Sequence, residues 1–178
     1  MRTTLLILLL LLVPTSLAAE DEPSTPSFPA SWHGNWTGPS AVVRGGETVM
    51  EFPMELHVAP LESGAGHKWQ IVYGEDERRQ VRPYELLPVD AGRGHYRIDE
   101  KNSIEIDAYF ENERLRSRFW VADNVIEATY ERDGDAMTVT LTTFGAKPLR
   151  MTGGRDKVPA VGSYALKSVQ RATLTRAR

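Results

Sequence analysis

The 178-residue chain contains no cysteine. That excludes disulfide crosslinks, thiolate metal clusters, a cysteine nucleophile and the acylated cysteine of a lipid anchor. Long apolar runs are missing too. The longest, Leu5 to Val13, falls short of the ~20 residues that a membrane-spanning helix requires. No window carries the i, i+3, i+4, i+7 stripe of an amphipathic helix. Charge of one sign is also missing: 21 basic residues against 24 acidic ones give a formal net charge of −3. Such a mixture does not suggest nucleic acid or an anionic membrane as a partner.

What is present begins with a leader. Met1-Arg2 provides a positive start, Leu5 to Val13 an apolar stretch, and Ser16-Leu17-Ala18 a small-x-small cleavage pattern. Residues 1–18 therefore read as a signal peptide, and the expected location is secreted or periplasmic, without stable membrane insertion after the leader is removed. Residues 19–30 hold three prolines and little to bury, the composition of a flexible linker. Residues 31–178 are then one domain, of a size that can bury a core without crosslinks.

Within that domain the dominant signal has period two. Met50, Phe52, Met54, Leu56 and Val58 alternate with Glu51, Pro53, Glu55 and His57, which is the pattern of a half-buried strand. Pro53 lacks a backbone donor and is expected at an edge or a bulge. The alternation recurs through Trp69–Tyr73, Val81–Val89, His95–Asp99, Ile104–Phe110, Leu115–Val121, Ile126–Tyr130 and Met137–Leu141. The last strand is expected over Tyr164 to Arg176, with Tyr164, Leu166, Gln170, Ala172 and Leu174 on one parity. Gly45-Gly46, Gly74-Glu75-Asp76, Ala91 to Gly94, Lys101-Asn102, Glu111 to Glu113 and Asp133-Gly134-Asp135 mark hairpin turns. The fold class is all-β: an antiparallel up-and-down barrel of about ten strands, since closure buries the apolar face and removes the edges together. One connection, Gly145 to Gly162, is long enough to be a lid or a docking loop.

The first strand opens with Trp32-His33-Gly34-Asn35-Trp36, a Gly-x-Trp that resembles the opening of lipocalins and related calycin barrels. The strand number is similar to that of nitrobindin-like and fatty-acid-binding-protein-like barrels. The resemblance implies that Trp36 closes one barrel end, with a basic residue of a late strand, Arg176 or Arg118, across the indole. A cation over an indole face is worth of order 1 kcal/mol. Ala172-Thr173-Leu174-Thr175-Arg176 is also similar to the terminal run of nitrobindins. The position answering to their haem-ligating His is Val169, so haem is not carried over and no cofactor is expected.

The residues hold no catalytic motif. His33, His57, His67 and His95 form no His-x-His or His-x-x-x-His pair, so no metal site is expected. Gly162-Ser163-Tyr164 lacks a nucleophile elbow, and Gly64 to Lys68 lacks the ending of a phosphate loop. Asp133-Gly134-Asp135 is a turn rather than a calcium loop. Arg114, Arg116 and Arg118 form an outer stripe, expected to pair with Glu105 and Asp107 of the preceding strand. Glu100 is the one carboxylate on an apolar parity.

The inner face is unusual for its polar aromatics: Trp69, Tyr73, Tyr84, Tyr96 and Tyr130, with Ser117 and Gln170. Tyrosine hydroxyls inside a barrel suit a cavity that combines apolar walls with hydrogen bonding, and these seven are the candidate ligand contacts. The expected function is interior binding of a small, mostly apolar ligand. The alternative is a non-catalytic interaction module working through the outer wall or the 145–162 connection.

Overall fold

The alternating pattern closes on itself. A computed structural model, which describes residues 27–177, contains ten strands: β1 (Gly34–Arg44), β2 (Glu47–Pro60), β3 (His67–Tyr73), β4 (Gln80–Asp90), β5 (His95–Asp99), β6 (Glu105–Glu111), β7 (Arg114–Val121), β8 (Asn124–Asp133), β9 (Ala136–Thr152) and β10 (Val161–Arg176). Each pairs antiparallel with its neighbours in sequence, and β1 pairs with β10 to complete a closed barrel. The expected signal peptide and most of the expected linker lie outside the described residues.

The alternation sets the inner wall. Met54, Leu56 and Val58 of β2, Trp69 and Ile71 of β3, Met137 and Val139 of β9, and Ala172 and Leu174 of β10 point inward and are buried. Burying an aliphatic side chain of this size contributes roughly 1.5–3 kcal/mol. At the closing seam, Trp36 lies opposite Arg176 and Ser40 opposite Ala172. Between them β10 passes so close to Gly38 that a Cβ there would stand 2.0 Å from the Thr173 carbonyl oxygen. Only glycine admits that approach.

Closure changes the role of Pro53. No edge exists for it to occupy; it lies opposite Pro39 on β1. On its other side β3 has ended, and the Pro53 carbonyl accepts the Gly74 N–H at 2.9 Å.

Two further expectations are corrected. The connection at 145–162 is largely strand: β9 runs on to Thr152 and β10 starts at Val161, so the two longest strands project past the barrel as a hairpin arm with a short tip. Register shifts between Ser163 and Ser168 also break the parity of β10. Tyr164 and Leu166 therefore stand on the outer surface, while Ser168 and Gln170 face inward.

The Arg stripe pairs with acids other than those expected. Arg118 meets Glu127 of β8 at 3.2 Å, Arg114 meets Glu131 of β8, and Arg116 meets Glu111 at 3.8 Å. The β6–β7 ladder stops at Ala108 opposite Ser117, so the far ends of these strands separate. Glu105 and Asp107 instead reach back to β5, to Arg97 and His95.

Candidate functional site

The two ends of the barrel differ in chemistry. At one end a single 3₁₀ turn, Ala30–Trp32, is folded across the opening. Trp32 is fully buried and stacks 6.0 Å from Trp69. Phe28, from the stretch read as a linker, stacks 3.9 Å from Phe110. The turn is held by charge-assisted hydrogen bonds, which are the stronger kind. The Ser31 carbonyl accepts from Arg176 at 3.0 Å and Arg132 at 3.2 Å, and Glu113 accepts from Arg132 at 2.9 Å and the Trp32 indole at 3.2 Å.

Trp36 lies beneath this plug, its indole N–H donating to the Trp32 carbonyl at 2.9 Å. The Arg176 guanidinium carbon stands 4.4 Å from its ring centroid. Arg118 is not at this end; it sits mid-wall on the outer face, on the solvent parity of β7, and cannot reach the indole. His33 and His67 meet here at 2.9 Å. Burial holds both imidazoles below their usual pKa, with help from Arg176 for His33 and from His33 for His67.

The other end is open. A cavity of about 980 Å³ enters the barrel there, walled by Val42, Phe52, Tyr73, Ile126, Leu141 and Gln170. Arg44, Glu51, Glu75, Glu77, Arg78 and Arg79 ring its mouth. The walls are thus mainly apolar and the rim is of mixed charge, the usual division for a small-molecule site.

The seven inner-face residues separate along the barrel axis. Tyr73 and Gln170 line the cavity together. Trp69, Tyr96 and Tyr130 are buried in the core toward the plugged end, where the Trp69 and Tyr130 rings meet edge to face at 5.1 Å. Tyr84 lies opposite Trp69 in the β3–β4 register, half-buried. Ser117 is buried between Ala108 and Ala128, in a row of small side chains across β6, β7 and β8.

Electrostatically the tyrosines form one group. Burial raises the Tyr73, Tyr84 and Tyr130 hydroxyl pKa values, and the nearby Glu100 carboxylate adds to each rise. Tyr84 is pushed up to about 12. Arg82 opposes the rise at Tyr73 and Tyr84. All three phenols are therefore neutral hydrogen-bonding groups near neutral pH rather than bases. Gln170 Nε2 and Trp69 Nε1 lie beside the Tyr73 and Tyr130 hydroxyls and each tempers the rise there, though neither closes a hydrogen bond of good geometry, and Ser40 Oγ is buried without a partner among the described residues. A buried donor without an acceptor costs about 1–3 kcal/mol.

Sequence reasoning missed Phe52, Ile126 and Leu141 as cavity walls, and Arg82 as the cation acting on Tyr73 and Tyr84. Parity with Tyr84 and Leu86 was a usable signal for Arg82. For the others nothing local distinguishes a cavity wall from packed core. Among the described residues no group of three or more His, Asp or Glu side chains is placed to hold a metal ion.

No protein-family model matches the sequence, and no curated protein matches it. Among solved structures it is similar to a protein of unknown function from the DUF3598 family of Nostoc punctiforme, with a TM-score of 0.57 at 10% identity. The similarity covers 82% of this chain and 47% of that one, so the chain spans about half the length of its structural neighbour. At that identity the likeness concerns fold alone, and a closed ten-strand antiparallel barrel fits a calycin-like fold.

Proposed function

We propose that the chain is an exported barrel that holds a small, mostly apolar molecule in its open half, in the manner of a lipocalin. The observation that carries this reading is the cavity itself: its walls are mainly apolar, and the Gln170 amide and the Tyr73 hydroxyl face it side by side. An elongated apolar molecule with one accepting oxygen satisfies both features. Its body removes apolar wall from water at roughly 25 cal/mol per Å², and its oxygen takes the Gln170 N–H.

The test is displacement of a fluorescent fatty-acid probe, with native mass spectrometry of the purified protein to find what it retains. Leu141→Trp fills the cavity from its wall and is expected to abolish probe binding while the barrel still unfolds cooperatively. Gln170→Leu removes the donor; a carbonyl-bearing ligand is expected to weaken by about tenfold, the effect of one hydrogen bond, while a pure hydrocarbon is unaffected. Undiminished binding by Leu141→Trp would exclude the interior as the site. For export, N-terminal sequencing of the protein from the extracytoplasmic fraction is expected to begin at Ala19.

A further inference from the structure

The hairpin arm carries a surface that the barrel does not need. Every residue from Lys147 to Val161 is exposed, including Leu149 at 75% and Met151 at 59%. Residues 145–167 contain five basic side chains, Lys147, Arg150, Arg155, Lys157 and Lys167, against the single acid Asp156, a net of +4 in a chain whose formal charge is −3. On the barrel Arg93, Arg97, Arg114, Arg118 and Arg132 have carboxylate partners among the described residues, while Arg44, Lys68, Arg78, Arg79, Arg82 and Arg171 do not but stand among acidic neighbours in sequence or register such as Glu47, Glu51, Glu75 and Glu85. Among the described residues no carboxylate lies within ion-pair distance of Lys147, Arg150, Arg155 or Lys157. The whole-chain charge conceals this segregation.

A second exposed apolar group lies on the outer wall below the arm. Trp120 of β7 lies opposite Val125 of β8, Val125 opposite Phe144 of β9, and Phe144 opposite Leu166 of β10. This makes one cross-strand apolar row on the outside of the sheet, with Tyr164 beside it over a shallow hollow of about 290 Å³. Trp120 is 74% and Leu166 60% exposed. Contiguous apolar and aromatic side chains outside a barrel, reaching onto the same two strands that carry a basic arm, mark a binding face rather than a solvated one.

We propose that the β9–β10 arm docks the protein on an anionic phospholipid surface. The arm cations would meet lipid phosphates, to which Lys and Arg near such a surface are attracted. Leu149 and Met151 would enter the interfacial region, with Trp120 and Tyr164 at headgroup level, where amphipathic rings are favoured. A polyanion without an apolar phase leaves the aliphatic residues unused, and a second copy bound arm to arm brings like charges together. The arm stands at the same end as the open mouth, so docking would bring the cavity toward the lipid. The proposal does not depend on a ligand in that cavity.

The plug and closed barrel are complete from Phe28 to Arg176, so the test uses the chain from Ala19 onward, without the apolar leader that would itself seek lipid. It is sedimented with vesicles of phosphatidylcholine alone, or of phosphatidylcholine and phosphatidylglycerol in equal parts. Binding is expected only to the anionic vesicles, and to fall at high salt. Trp32, Trp36 and Trp69 are fully buried, so a blue shift of tryptophan emission on binding reports Trp120, and Trp120→Phe is expected to remove it. The double variant Arg150→Glu/Lys157→Glu is expected to weaken binding by at least about tenfold. Leu149→Gln, which keeps every charge, is expected to weaken it less. Both change only exposed positions, and a near-ultraviolet circular dichroism spectrum confirms the barrel. Equal binding to the two vesicle types, or full binding by the double variant, would each overturn the proposal.

Discussion

Trp36 is fixed through both parts of its chemistry, the N–H by the Trp32 carbonyl and the ring face by Arg176. Arg176 also donates to Ser31, so one side chain joins the last strand, the first strand and the plug. Replacing it by Met keeps the stem but loses the cation–π contact and a charge-assisted hydrogen bond. The expected loss is about 2–3 kcal/mol in urea unfolding; an unchanged midpoint would show the residue to be dispensable. The His33–His67 pair beside it gives a pH effect of known sign. Both native pKa values lie below the ordinary 6.5, so the unfolded chain binds protons first as pH falls. The pair's contribution is complete above pH 6.5 and is lost as pH drops from there through the lowered native values. Thermal unfolding is expected to weaken from pH 7.5 to 5.5 (about one unit on each side of the ordinary imidazole value), and His67→Gln is expected to flatten that slope.

At the scale of elements, the plug and the arm are the two additions to a plain barrel. The Ala30–Trp32 turn is only one turn long and has no stability of its own; its hold is the burial of Trp32 and the hydrogen bonds to Ser31 and Glu113. Trp32→Ala is expected to cost about 3–5 kcal/mol and to speed hydrogen exchange first at the plugged end, measured amide by amide. The strands themselves were legible because alternation is local: β5 is read at His95–Asp99 and found there. The phase of β10 was not. Its bulges between Ser163 and Ser168 depend on how β9 lies beside it, so Tyr164 and Leu166 moved from the expected inner face to the outside. The same extension turned an expected loop into an arm, since Pro148 and the glycine pair at Gly153-Gly154 read as loop residues whichever structure surrounds them.

For the whole molecule, closure is the governing event, and Gly38 is where it is most sensitive. A larger side chain there must push β1 from β10 at the seam. Gly38→Val is expected to destabilise by about 2–3 kcal/mol and to raise exchange along both seam strands, whereas the same change at Gly134, which has no atom near a new Cβ, is expected to leave the seam intact. Closure also decided the site. Tyr73 and Gln170, 97 positions apart in the sequence, share one cavity because β10 joins β1 and brings the end of the chain round to its beginning. Trp69, Tyr96 and Tyr130 share their parity but lie deeper, and parity carries no information on depth along the barrel axis.

The sequence by itself determined the all-β class, the strand number and most turns, because strand pitch, side-chain alternation and glycine-rich reversals are properties of short stretches. Its lack of cysteine left closure and packing to stabilise the fold. Only the tertiary structure decided which end is plugged, that Arg176 rather than Arg118 covers Trp36, where the cavity lies, and that the basic stretch before the last strand stands out as an exposed arm. Those outcomes follow from strand register and from contacts between residues far apart in the chain, which no local pattern encodes.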